Sequence, residues 1–329
     1  MMSDASPWDE IAVPGLDYNV RLVAAKTPVP CFWGRDTTGR YLFILELPGD
    51  HTAQFDQNRV ASHGIRVDLR EGDSAAVQQL VITLEQQVDR DLFEGLCQTL
   101  ISALAVATDP VSALAVAIAH IRRWKTFLSG RGGHRLSPDE VRGLFAELTY
   151  LTQLIADLKS EKEAMSAWLG PDRSHQDFIF RNTAVEIKSL SGAERSTVRI
   201  SSEDQLESVS ASLFLRIYRL TNLPESARAA SLNGIVDAIQ HSLTDADAVE
   251  DFERKLISYR YAPMPEYDEP LLVVTDVRTY RVAEGFPRLI RSALPDGVKK
   301  VGYEIELEAL APFECENNSI LGSADGTDS

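Results

Sequence analysis

Apolar and polar residues alternate with period two through four early runs, Asn19 to Ala24, Arg40 to Leu47, Gly64 to Leu69 and Gln79 to Leu84. Gly, Pro and Asp punctuate the gaps, so the runs predict an antiparallel β-rich domain over residues 1–90. The period then changes. Asp91 to Thr108 and Pro110 to Leu128 read as two helices. Asp109-Pro110 interrupts the most apolar stretch, Leu100 to Ile121, which favours a buried helix pair over a membrane span. With the basic, Gly-rich run after them, the two helices form a connector over residues 91–135.

The next helix carries its own start signal. Ser137 is the N-cap, Pro138 the first helical residue, and Glu140 closes a capping box. Val141, Leu144, Phe145, Leu148, Leu151, Ile155 and Leu158 then recur as one apolar stripe. Glu147 falls inside it, about 60° from Leu144 and about 40° from Leu151 at the helical 100° per residue. A carboxylate aimed into a core is costly unless it pairs with a buried cation or holds a metal. Both readings stay open from the stripe alone.

Further on, Phe178 to Phe180 and Ala184 to Lys188 are short β-prone runs flanking Arg181-Asn182-Thr183, a hairpin pattern. A turn about Arg181-Asn182 sets Asp177 directly across from Glu186, with side chains about 5 Å apart. Alternation puts Glu186 and Lys188 on one face, and Val185 and Ile187 with Phe178 and Phe180 on the other. One face is therefore expected to be greasy and buried, the other charged. The same register sends Asp172 of the literal Pro171-Asp172 opposite Ser191, past the charged positions, so Asp177 is the better candidate. Two carboxylates and an ammonium so placed can hold a hard divalent cation against a phosphate and orient an attacking water. A solvated strand face can carry the same letters by chance.

Downstream, Leu213 to Leu220, Leu271 to Thr275 and Val301 to Leu307 read as strands, and Ala227 to Leu243 and Val249 to Ser258 as helices. Residues 313–329 are polar and acidic, and are expected to be disordered. A chain of 329 residues with 44% hydrophobic content has room for two globular domains. Cys31, Cys97 and Cys315 are odd in number and far apart, which argues against a disulfide framework and fits a reducing cytoplasm. The start Met1-Met2-Ser3-Asp4 is polar, unlike a signal peptide. Zinc-ligand spacing, a serine-hydrolase elbow, a phosphate loop and a dinucleotide fingerprint are all missing.

The succession Gly143-Leu144-Phe145-Ala146-Glu147-Leu148, Trp168-Leu169-Gly170-Pro171, His175-Gln176-Asp177-Phe178, Val185-Glu186-Ile187-Lys188-Ser189 and Ile200-Ser201-Ser202-Glu203-Asp204-Gln205-Leu206 resembles the PD-(D/E)XK nuclease superfamily. More narrowly, it resembles the PD-(D/E)XK family encoded in bacterial restriction-modification-like and phage-defence gene clusters, beside helicase, ATPase and methylase genes. The resemblance implies an α/β (α+β), restriction-endonuclease-like α-β-β-β-α-β core with a mixed sheet over residues 136–312, C-terminal α/β extension included. It implies Asp177, Glu186 and Lys188 as the signature and Glu147 as the core-helix acid. Asp177, Glu186, the Ile187 carbonyl and Glu147 would then bind Mg2+ or Mn2+, while Lys188 orients water. Gln205, which stands where many members carry a polar residue near substrate phosphates, could touch substrate or be an ordinary exposed Gln. Ser189 could bond a phosphate or end its strand, and His175 could face metal or substrate or be merely exposed. Gln176 occupies the place of the signature's Pro.

The implied activity is a DNA endonuclease in a restriction or defence complex; the alternative is a catalytically silent or partner-activated scaffold subunit. Net charge qualifies the first. At −16, the chain is poorly suited to binding DNA unaided, since phosphate contacts dominate such affinity. Arg122, Arg123, Lys125, Arg131, His134 and Arg135, interleaved with Gly130, Gly132 and Gly133, are the local exception: a loop able to approach a backbone, or a solvated linker. A protein partner is therefore expected to bring the DNA.

Overall fold

The structure, a computed structural model, describes residues 6–59, 64–72, 76–85, 89–128, 136–172, 174–192 and 196–324. Its chain divides into two compact units, Met1–Arg135 with Arg260–Pro265, and Leu136–Tyr259 with Glu266–Ser329.

The first unit is built on a five-stranded antiparallel sheet. Its strands are β1 (Tyr18–Leu22), β2 (Cys31–Asp36), β3 (Tyr41–Pro48), then, after helix α1 (Thr52–Gln57), β4 (Ile65–Glu71) and β5 (Val77–Leu84). Their order in the sheet is β1-β2-β3-β5-β4. β2 has no counterpart among the alternating runs, because Pro28, Pro30 and Gly34 disguise it. Helices α2 (Arg90–Leu104) and α3 (Pro110–Leu128) pack on each other and belong to this unit, so the residues set apart as a connector share a core with the sheet. Trp8 anchors that core: it stacks on Phe93 at 5.4 Å and donates its indole N–H to the Leu42 carbonyl at 2.9 Å. Among the described residues no helix is long and apolar enough to cross a membrane. Of the basic run, Arg122 is exposed on α3 and bonds Asn58, the side chains of Arg123 and Lys125 are not described, and Arg131, His134 and Arg135 lie outside the described residues.

The second unit opens with α4 (Pro138–Leu158), whose capping box forms as its sequence implies: Ser137 Oγ accepts from the Glu140 amide and Glu140 answers the Ser137 amide. Helix α5 (Glu161–Ala167) follows, then β6 (Phe178–Phe180), β7 (Thr183–Ser191), β8 (Thr197–Ile200) and β9 (Ser212–Asn222). After these come α6 (Leu232–Ser242), α7 (Ala246–Ser258), β10 (Leu272–Arg281), β11 (Tyr303–Glu306), β12 (Glu314–Cys315) and α8 (Ser319–Ala324). The main sheet runs β12-β10-β9-β7-β6 and is mixed, with β7 parallel to β9 and the other neighbours antiparallel. β8 leaves it to pair with β11.

Two expectations change here. The second helix of an α-β-β-β-α-β core is only a four-residue 3-10 turn, Glu203–Leu206, and the third strand sits in the separate β8–β11 ladder. Parallel neighbours need a long crossover, and β8 with the 3-10 turn supplies it. The segment after 312 is ordered through residue 324 rather than disordered. Asn317 explains this: its carbonyl accepts from Arg216 at 3.4 Å and its side chain from Thr279 at 2.8 Å, while Ile320 is only 1% exposed. Ile320→Ala should therefore destabilise the second unit by about 2–5 kcal/mol, read from chemical denaturation. A wild-type curve for that variant would mean that the segment does not dock.

Candidate active site

The β6–β7 hairpin sets the register of the site. Phe178 pairs with Val185 and Phe180 with Thr183 across the Arg181-Asn182 turn, where Arg181 takes a left-handed φ of 52°. Continuing that register one residue beyond β6 brings Asp177 level with Glu186. Asp177 Oδ2 accepts from the Ile187 amide at 2.7 Å, so the carboxylate is tied to the partner strand. Alternation sets Glu186 and Lys188 between Ala184 and Leu190, which belong to an apolar cluster with Leu215 and Ile217 of β9. The charged face is thus buried as well as the greasy one, and Glu186 is 1% exposed.

Glu147 arrives from α4. It is 6% exposed, and its carboxylate accepts from the Trp168 indole at 2.8 Å and the Tyr259 hydroxyl at 3.0 Å. Its hydrogen-bond partners are therefore neutral donors, not the buried Arg or Lys of a structural ion pair. Gly170 brings Glu147 and Asp177 together. A Cβ there would meet Glu147 Oε2 at 2.5 Å and Asp177 Oδ1 at 3.1 Å, so both carboxylates border a space that only glycine leaves open. Trp168 is itself held from behind. Lys255, 2% exposed on α7, donates to the Met165 carbonyl at 2.8 Å and to the Trp168 carbonyl. Asp172, of the literal Pro-Asp, pairs with Arg254 at 3.4 Å and Lys255 at 3.7 Å.

Burial dominates the electrostatics. It pushes Glu147 well above the usual carboxylate range, with the Asp177 charge adding to it. Asp177 is also raised by burial, against the pull of Lys188 and the Ile187 amide. Burial and then Asp177 raise Glu186 to about 8, although the Lys188 ammonium lies 2.8 Å from its Oε1. That ion pair is the contact made by Oε1, while Oε2 has no hydrogen-bond partner. For Lys188 itself burial acts downward, but Glu186, Asp177 and Glu147 together hold its affinity for a proton above the ordinary lysine level.

The other candidates separate. Gln205 joins the site: its Oε1 accepts from Lys188 Nζ at 3.0 Å and from the Ser201 amide at 2.8 Å. Two donors on one atom fix which end of the amide is oxygen. Ser189 alternates onto the face of Ile187, away from Lys188. His175 is exposed, 3.9 Å from Asp204, and contacts none of the three carboxylates. Tyr259 and Lys255 carry no charge pattern or spacing that marks them, while Trp168, Gly170 and Gln176 lie within the resembling segments but have residue types that suggest no role by themselves.

Among the described residues no three acidic, His or Cys side chains stand already at metal-binding distances. The residues nevertheless fit a hard divalent cation. Glu186 offers a buried oxygen, Oε2, with no hydrogen-bond partner, Gly170 leaves a cradle between two further carboxylates, and the donor set is all oxygen.

A family model described as "Putative PD-(D/E)XK family member, (DUF4420)" matches residues 5–308. No curated protein and no solved structure matches the chain.

Two outcomes follow from the geometry. Gly170→Ala should weaken Mn2+ binding at least about tenfold in calorimetry while leaving the circular dichroism spectrum intact; unchanged affinity would empty the cradle of meaning. The second concerns pH. A carboxyl raised on folding binds its proton more tightly in the native state, so its contribution is present below the unfolded value and fades as pH climbs toward the folded one. In chelator, stability should therefore decline from pH 5 to 8 through Glu186, whose value moves from 4.5 to about 8. Glu186→Gln should flatten that slope in thermal melts.

Proposed function

The chain belongs to the family that this model describes as PD-(D/E)XK, and from that membership we propose that it is a metal-dependent nuclease that hydrolyses phosphodiester bonds of DNA. The observation that carries the reading is the convergence of Glu147 and Asp177 on Gly170, with the Glu186–Lys188 pair directly across the hairpin from Asp177. Asp177, Glu186, the Ile187 carbonyl and Glu147 are the residues that would hold Mg2+ or Mn2+. Such an ion, when bound, supplies Lewis-acid charge that neutralises the scissile phosphate and acidifies water.

The chain's own residues do the rest. Lys188 carries a proton held firmly by its acidic neighbours, so it serves as a fixed positive donor toward the attacking water or the developing phosphorane charge. Gln205 limits the swing of that ammonium through its 3.0 Å contact. Trp168 and Tyr259 hold Glu147 in place. The apolar surround, Ala184, Leu190, Leu215 and Ile217, keeps bulk water from screening these charges. Direct attack by water requires no covalent protein intermediate.

A net charge of −16 favours a second element of the proposal: DNA reaches this site with a protein partner, as in a restriction or phage-defence complex with helicase, ATPase or methylase subunits. The same charge also favours the alternative of a silent or partner-activated scaffold. Plasmid nicking separates them. With Mg2+, alone or with its partners, the wild type should yield nicked or linear product, and Asp177→Ala or Lys188→Ala should slow it by about 10²–10³-fold. Equal cleavage by wild type and variants, or none under any combination with no Mn2+ binding, would sink the enzyme reading.

A further inference from the structure

Gln176 stands where the signature has proline, and its side chain has a use that proline lacks. It is 4% exposed, and its Nε2 lies 3.0 Å from the Asp204 carbonyl, 3.3 Å from that of Gln205 and 2.9 Å from that of Glu207. One amide group thus clips three carbonyls of the 3-10 turn Glu203–Leu206 and its end. Gln205 lies in the middle of that clip. Its side chain is the one whose Oε1 receives Lys188. A four-carbon lysine stem is flexible, so the direction of its ammonium depends on what it touches. Here it touches Glu186 and Gln205.

We propose that Gln176 is a positioning residue: by pinning the 3-10 turn, it keeps Gln205 where it holds the Lys188 ammonium beside Glu186. The proposal rests on the nuclease reading of this site for its catalytic consequence. No hydrogen bond joins the Gln176 side chain to Asp177, Glu186 or Glu147; its partners are the turn's carbonyls. Nor is it the turn's sole support. Arg288 donates to the Leu206 carbonyl, the Arg291 amide bonds Glu207 at 3.0 Å, and buried Glu203 accepts from the Lys300 and Val301 amides at 3.2 and 2.7 Å. Losing Gln176 should therefore loosen the turn's inner side without unfolding the unit.

Gln176→Met replaces the amide with an unbranched apolar chain of similar length; Gln205→Leu and the double variant complete a cycle. Three measurements on the full-length protein are needed: Mn2+ affinity by calorimetry, plasmid cleavage, and the rate at which acetic anhydride labels Lys188, read by mass spectrometry. Each single variant should bind Mn2+ within about twofold of wild type, cleave about 10–100-fold more slowly, and label Lys188 several-fold faster. The double variant should be no worse than either single, because both act on one contact. Wild-type labelling in Gln176→Met, or losses that multiply in the double variant, would overturn the proposal. So would a tenfold loss of Mn2+ affinity, which would move the role of Gln176 to its neighbour Asp177. If the wild type cleaves nothing, alone or with its partners, and binds no Mn2+, the nuclease reading fails, yet the labelling arm still decides whether Gln176 governs Lys188. Should Gln176→Met fail to fold, Gln176→Ala is measured in the same three ways.

Discussion

Three carboxylates drawn out of water toward one another are the constraint around which the second unit is arranged. Burial raises the proton affinity of each, and the Asp177 charge adds to it at Glu147 and Glu186. A single ammonium stands against them. Such a cluster does not stabilise a fold; it must be held by structure that gains its energy elsewhere. The holding groups are specific. Trp168 and Tyr259 take Glu147, the Ile187 amide takes Asp177, and the apolar flanks of β7 and β9 close over Glu186. Lys255 illustrates how far the support extends, since a nearly buried cation on α7 holds the backbone whose indole holds the acid.

What the sequence made legible was what obeys local rules. The hairpin register followed from a two-residue turn and period-two alternation, and the paired residues Phe178–Val185 and Phe180–Thr183 have that register. Glu147 stood out because a carboxylate interrupted an apolar stripe, and the α4 start was written in Ser137, Pro138 and Glu140. The rest depended on contacts between residues far apart in the chain. Tyr259 lies 112 positions from Glu147, and nothing local marks it as that residue's partner. The second core helix was expected where only a 3-10 turn forms, because the segment from Ser201 is anchored by side chains, Gln176 and Gln205, that substitute for helical hydrogen bonds. The helix that Ala227 to Leu243 predicts starts only at Leu232 for a related reason: Ser231 caps it, and Ala230 bridges to Leu272 instead.

The burial of Glu186, with Lys188 half-buried beside it, on a face expected to be merely charged sharpens the chemistry. An open face would screen the pair with water and leave ordinary carboxylates. A closed one raises the value of every neighbouring charge, including any brought by a cation or a phosphate. The 3-10 turn belongs to the same economy of construction. Parallel pairing of β7 with β9 obliges the chain to cross over, and that crossover passes Gln205 beside Lys188. Topology and positioning are served by one stretch of chain.

Arg216 is a buried cation on β9. Its guanidinium is 2% exposed, lies over the rings of Tyr150 and Tyr218, and finds its hydrogen bonds in neutral groups: Tyr218, Thr279, Gln153 and the Asn317 carbonyl. The last of these is 101 positions away. At a ribosomal pace of roughly 5–20 residues per second, Arg216 is synthesised about 5–20 s before Asn317 exists. Throughout that interval the cation lacks one of these four partners, so the last hydrogen bond around it waits on the end of the chain to be made.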